Sequence, residues 1–137
     1  MSDRVFLDTN VIVYADDQSA GVKRSRALAV LRELVAESRA VLSTQVLQEY
    51  FVVATRKLGV SPVVARQKVD ALSRLDVVVI RPELVLAAID LHRLHQISFW
   101  DALVVRCAVA AGCSRLFSED LQDGQVLDGV RIENPFR

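Results

Sequence analysis

Two hydrophobic periods alternate along this chain, and that alternation limits its fold more than any other feature. Short, mainly apolar runs (Val5–Leu7, Ala40–Ser43, Val77–Ile80, Arg115–Ser118 and Val130–Ile132) are separated by stretches whose apolar residues recur every three or four positions. Strands that are apolar along their length, rather than at every second residue, are buried on both faces. That is the condition of a parallel sheet with helices packed above and below it. The pattern predicts an α/β fold: a three-layer α/β/α sandwich with a central, mainly parallel sheet of four to five strands. A chain of 137 residues can bury a core without staples and is read as one domain, 1–137.

The helices are placed by their ends. Val22–Ala36 carries the stripe Ala27, Leu28, Leu31, Leu34 and Val35. Thr44 is positioned to cap a helix with the stripe Leu47, Tyr50, Phe51, Ala54 and Leu58, and Gly59 to stop it. Ser61-Pro62 opens a helix reaching about Leu75, and Pro82 another reaching about His95. Ser98 caps a helix over Phe99–Ala111, ended by Gly112. Asp8-Thr9-Asn10 and Asp123-Gly124 read as turns.

Composition works mainly by exclusion. Seventeen basic residues balance seventeen acidic ones, so net charge does not draw the chain to nucleic acid; fourteen of the seventeen are Arg, the better fork for phosphate oxygens. An apolar fraction of 52 % points to an oligomer or partner surface, and a well-filled core would account for it as well. No apolar run reaches the ~20 residues of a membrane span. Asp3 and Asp8 interrupt the segment a signal peptide would need apolar. Cys107 and Cys113 match neither a CxxC nor a zinc spacing and read as free thiols of a core helix. The expectation is a cytoplasmic protein with no membrane association.

Four carboxylates fall where chemistry is expected. Ligands of open α/β sheets bind beyond the carboxyl ends of the strands. Asp8 directly follows the first strand, and Asp120 stands two residues after the fourth. Asp101 lies in the first turn of the helix capped by Ser98, and Glu49 in the second turn of the helix after strand two. Carboxylates brought together raise one another's pKa unless a cation neutralises them. All-oxygen donors select Mg²⁺, or Mn²⁺ in its place. Hydrolysis of a phosphodiester is the reaction that needs least beyond these groups. Taken singly, Asp8 could merely cap a short helix, and Asp101 could be the acidic half of a capping box with Ser98. Neither Glu49 nor Asp101 has a basic partner three or four residues on, since those positions are Val52, Val53, Val104 and Val105.

FLDTNVIVY, STQVLQEY, SFWDALVVRCAVAAGC and LFSEDLQDG, in this order and over essentially the whole chain, resemble the PIN-domain nucleases, and among them the VapC-type toxins of bacterial toxin–antitoxin pairs. The resemblance implies a PIN-like fold and a Mg²⁺- or Mn²⁺-dependent endoribonuclease with RNA as substrate. It also implies a homodimer and inhibition by a VapB-type antitoxin. Asp8, Glu49 and Asp101 fall on the family's three principal acidic positions. Asp120 falls on the fourth, more variable one, where Glu119 could exchange roles with it. Asn10 matches the polar residue of the first motif, which would orient Asp8, and Ser118 matches a common hydroxyl position behind the acids.

Other signals leave two readings each. Lys23, Arg24 and Arg26, at a helix start where the macrodipole disfavours cations, meet RNA phosphates at the groove rim or form a solvated turn. Trp100 stacks on an unpaired base or packs in the core. His92 and His95 are a metal pair or a favourable helix end. A phosphatase using Asp8 as nucleophile would call for a second Asp at position 10, which here is Asn10. A non-toxin RNA-processing nuclease, or a PIN-like RNA-binding module without activity, complete the alternatives.

Overall fold

The computed structural model describes residues 3–137; Met1 and Ser2, at the head of the segment read above for a signal peptide, lie outside the described residues. The chain runs β1 (Val5–Leu7), α1 (Thr9–Asp16), α2 (Val22–Ala36), β2 (Ala40–Ser43), α3 (Thr44–Arg56), α4 (Pro62–Leu72), β3 (Asp76–Val78), α5 (Pro82–His95), α6 (Phe99–Ala110), β4 (Arg115–Phe117), β5 (Val126–Leu127) and β6 (Val130–Glu133). The strands form one sheet in the order β3-β2-β1-β4-β6-β5. All pairings are parallel except that of β5 with β6.

Strand order fixes the layers. From β1 the chain steps outward to β2 and β3, then returns across both to β4 on the other side of β1. Right-handed crossovers place α1 to α4 on one face and the return segment on the opposite face. α1 packs on α2 and α3, and α3 on α4; across the sheet, α6 lies against β2, β4 and β6, with α5 packed on α6. The expected three-layer, mainly parallel sandwich is therefore present. Its most covered strands, β1 and β2, are buried at every residue, which is why they read as unbroken apolar runs.

The differences are local. The sheet has six strands rather than four or five, because Val126–Leu127 pairs with β6 through the two-residue loop Asp128-Gly129. Both loop residues have positive φ, 48° and 81°, as a tight hairpin of this twist requires. The turn read at Asp8–Asn10 is instead the start of α1, with Asp8 as its cap. The cap of α3 is Ser43, not Thr44: Ser43 Oγ accepts from the Val46 N–H at 3.3 Å. The Thr44 hydroxyl is used otherwise, accepting from the Ile80 N–H at 3.3 Å. β3 ends at Val78, two residues early, since an edge strand has a partner on one side only. α4 stops at Leu72, short of Leu75. Cys113 is buried just beyond α6 rather than within it.

Ser43 is fully buried and satisfies one of the orphan donors at the start of α3. Ser43→Ala is expected to lower stability by about 1 kcal/mol, seen as a lower denaturation midpoint at unchanged m-value.

Candidate active site

At β1 the chain turns one way and at β4 the other, so a crevice opens beyond their adjoining carboxyl ends. Asp8 and Ser118 are the first residues past these strands, and the Asp8 N–H donates to the Phe117 carbonyl at 3.0 Å. The Asp8 carboxylate is nearly enclosed. Its Oδ1 accepts from the Thr9 N–H at 2.7 Å and its Oδ2 from the Ser118 hydroxyl at 2.8 Å. Ser118, fully buried, in turn accepts from the Asp120 N–H at 3.1 Å and from Asn10 Nδ2 at 3.5 Å. Asn10 Nδ2 also donates to Asp120 Oδ2 at 3.2 Å, and Asn10 Oδ1 accepts from the Glu119 N–H at 3.4 Å. Asn10 and Ser118 thus tie Asp8 and Asp120 into one network.

The other two acids enter from the helices. Glu49 Oε1 accepts from the Thr9 hydroxyl at 3.0 Å and from Gln45 Nε2 at 3.1 Å. Asp101 is held at the start of α6, where its N–H donates to Ser98 Oγ at 3.0 Å. Among the described residues, none of the four acids is in an ion pair. Burial pushes the Asp8 carboxyl up to about 6, with repulsion from Asp120 and Glu49 adding to it against the lowering by Ser118 and Thr9. Burial likewise raises Asp101, and Asp120 raises it further. Asp8 therefore feels the charges of Asp120 and Glu49, and Asp101 that of Asp120.

Glu119 belongs to a different set. It accepts from the Tyr14 hydroxyl and pairs with Lys23 Nζ at 2.9 Å. Burial would raise its pKa, but these two donors outweigh it and hold the carboxyl below its usual range. Of the two acids left open by the sequence, Asp120 accepts from Asn10 and acts on Asp8 and Asp101, while Glu119 lines the neighbouring groove with its carboxylate engaged by Tyr14 and Lys23. Tyr14 itself packs edge-on against Phe136, with ring centroids 5.0 Å apart.

Lys23, Arg24 and Arg26 have separate surroundings. Lys23 reaches the site rim through Glu119; Arg24 Nε is buried without a hydrogen-bond partner; Arg26 donates to the Arg137 carbonyl at 2.7 Å. Trp100 does not pack in the core but stands 61 % exposed. His92 Nδ1 contacts the Ile97 carbonyl, a use that belongs to the helix end. The sequence reading passed over Thr9, Gln45 and Tyr14. Gln45 could have been found, since it lies four residues before Glu49 on the same helix. Tyr14 could not, because Glu119 and Phe136, against which it is set, are over a hundred residues away.

Among the described residues, no three Asp, Glu, His or Cys side chains close on a ready-made metal cage. A cage is not what Mg²⁺ requires: it keeps several waters and takes one or two carboxylates directly. A buried carboxylate without a cationic partner, beside further acids, fits such a hydrated ion. Next to the acids runs a groove of about 280 Å³ lined by Thr9, Asn10, Tyr14, Glu49, Val53 and Lys57, among others.

The family model described as PIN domain matches residues 5–122. The chain belongs to the PIN-domain family. No curated protein matches the sequence. Solved structures resemble this PIN domain over most of its length at low identity. VapC20 of Mycobacterium tuberculosis, described as a sarcin-ricin loop cleaving toxin, is 20 % identical with a TM-score of 0.68, over 85 % of this chain and 91 % of that one. A chain of a toxin–antitoxin complex from Klebsiella pneumoniae is 18 % identical with a TM-score of 0.70, over 96 % and 97 %. A chain of DNA-bound VapBC from Salmonella typhimurium is 19 % identical with a TM-score of 0.68, over 98 % and 99 %. At such identities the likeness establishes the PIN fold. Among the described residues, no helix is long and apolar enough to cross a membrane.

Asp8 links this PIN domain's site to its stability. Its folded pKa of about 6 lies above the ordinary 3.8, so between those values the folded state binds more protons than the unfolded chain. Stability is then lost as pH rises through that window. In EDTA at pH 7.5, Asp8→Asn should be more stable than the parent, by on the order of 2–3 kcal/mol. Near pH 4 the difference should shrink towards zero. A lower midpoint for Asp8→Asn at pH 7.5 would mark Asp8 as a structural residue instead.

Proposed function

We propose that this PIN domain is a Mg²⁺- or Mn²⁺-dependent endoribonuclease and the toxin of a VapBC-type toxin–antitoxin pair. The observation that carries the reading is the convergence of Asp8, Glu49, Asp101 and Asp120 at one end of the sheet, without a basic side chain to neutralise them. Asp8, Glu49, Asp101 and Asp120 are assigned as the acids that would hold the ion. A bound divalent ion supplies Lewis acidity at a phosphodiester and lowers the pKa of water beside it.

The chain's own residues hold the geometry this needs. Ser118 donates to Asp8 and fixes the direction of its carboxylate. Asn10 does the same for Asp120, and Thr9 with Gln45 for Glu49. Carboxylates constrained in this way lose little orientational freedom when they bind. The phosphatase alternative is weakened, because position 10 offers an amide that is already donating to Asp120 rather than a second acid.

The partner reading rests on exposed apolar surface and on the toxin–antitoxin complexes among the structural relatives. An apolar groove of about 430 Å³ between α3 and α4, lined by Leu47, Phe51, Val52 and Val69, is open. On α5, Leu86, Ile89 and Leu94 are exposed. A VapB-type antitoxin and a second copy of the chain are the proposed occupants of such surfaces. Of the three rim cations, Lys23 is held by Glu119 and Arg26 by the Arg137 carbonyl, so in this reading Lys23, Arg24 and Arg26 have a minor role towards RNA phosphates.

Purified protein should cut bacterial RNA into discrete fragments with Mg²⁺ or Mn²⁺, stop in EDTA, and be inactive as Asp8→Asn. Cleavage that persists in EDTA or in Asp8→Asn would overturn the reading. Ser118→Ala should lower the rate roughly 10- to 100-fold, as loss of a group orienting a ligand does. In side-by-side kinetics Asp120→Asn should lose at least as much, while Glu119→Gln stays within about threefold of the parent because Glu119 faces Tyr14 and Lys23. The reverse order would exchange their roles.

A further inference from the structure

Trp100 is the only tryptophan of the chain, and it lies open at the start of α6, one residue before Asp101. Aromatic rings usually contribute by burying about 150–250 Å² each, so this exposure calls for a reason. Its place on the helix supplies one. Leu103, Val104 and Cys107 follow at three, four and seven residues, on the same helix face, and all are buried. The Cys107 thiol meets the Ser43 hydroxyl at the last residue of β2. Trp100 is seven residues nearer the helix start than Cys107, about 10 Å along the axis.

The direction of α6 decides what lies there. Arg4, just before β1, donates to the Ala111 carbonyl at the far end of α6, so the helix ends at the amino edge of the sheet. It therefore begins at the carboxyl edge, where the repulsion between Asp101 and Asp120 also puts its first turn. Trp100 thus stands beyond the end of β2, at the carboxyl edge of the sheet and next to Asp101 in the first turn of α6. Phe99 holds it edge-on, with centroids 5.1 Å apart and planes at 75°.

We propose that Trp100 is a stacking platform for an unpaired base flanking the scissile phosphate, which makes it a substrate-binding residue selective for single-stranded or looped RNA. The inference rests on the ribonuclease reading and deepens it. Bases of unpaired RNA are held by stacking on aromatic faces, which every base offers. The alternative source of affinity, phosphate neutralisation, is limited here: net charge is zero, Lys23 and Arg26 are already engaged by Glu119 and the Arg137 carbonyl, and Lys57 is left as the lysine of the groove.

Because Trp100 is the sole tryptophan, its emission reports on this position alone. Full-length Asp8→Asn protein, silent in cleavage, is titrated with a mixed-sequence single-stranded oligoribonucleotide and with the same strand in a duplex. Quenching by the single strand, with the midpoint given by anisotropy of labelled RNA, is expected, and little quenching by the duplex. Trp100→Leu should weaken binding about tenfold or more and Trp100→Phe should restore most of it. In the cleaving protein the Leu variant should raise KM more than it lowers kcat. RNA binding with unchanged emission, or undiminished in Trp100→Leu, overturns the proposal while leaving the nuclease intact. Emission that shifts to the blue with protein concentration alone, and is then insensitive to RNA, overturns it in favour of contact between two copies. Absence of both RNA binding and wild-type cleavage overturns the ribonuclease reading together with it.

Discussion

The hydrogen bond from Ser118 to Asp8 joins the ends of two strands that the chain visits more than a hundred residues apart. It exists because β4 pairs with β1 rather than with β3, its predecessor in sequence. That single insertion sends the outgoing helices to one face and the returning ones to the other. It also opens the crevice at the carboxyl end. Asp8 is buried there because it stands at the ends of two central strands, and its hydrogen-bond donors hold the carboxylate in one orientation. Thr9 binds one oxygen, Ser118 the other, and Ser118 is itself steadied by Asn10 and the backbone of Asp120.

Such a site stores electrostatic tension. Burial and the neighbouring acids together oppose ionisation of Asp8, and an ionised carboxylate without a counter-ion is costly in a low dielectric. A cation relieves that cost, so the same residues that lower the stability of the metal-free protein would raise its affinity for a divalent ion. The pairing of Glu119 with Lys23 and Tyr14 sharpens this arrangement. It removes one negative charge from the crevice and one positive charge from its rim. Asp120 is left facing Asp8 and Asp101, while the thiols of Cys107 and Cys113, pushed up to about 12 and about 11 by burial, take no part.

The exterior follows from the same topology. α6 is covered along most of its length by the sheet and α5, and its start projects past the end of β2. α3 and α4 close over their own face of the sheet, yet Phe51 and Val52 remain open beside the groove between them. The apolar excess of the composition is thus divided. One share fills an unbroken core around β1 and β2; the other lies exposed, mostly on the helices.

The alternation of apolar runs and helical stripes determined the layers, most element boundaries and the strand ends at which Asp8 and Asp120 stand, because burial on two faces leaves a local mark on every residue of a strand. Ser98 and Pro82 announced their helices for an equally local reason, the unsatisfied donors of a helix start. Glu49 and Asp101 were marked as unusual by the absence of basic partners a turn away. What no local pattern carries is the strand order, and with it the contact of Ser118 with Asp8 and of Asn10 with Asp120. β5 escaped notice because two residues are too few to display a period, although Asp128-Gly129 was a hairpin signal. The different surroundings of Glu119 and Asp120 appear only in the fold. They are adjacent in sequence and alike in chemistry, and what separates them is Tyr14 and Lys23, brought in from α1 and α2 by the packing of those helices against the crevice.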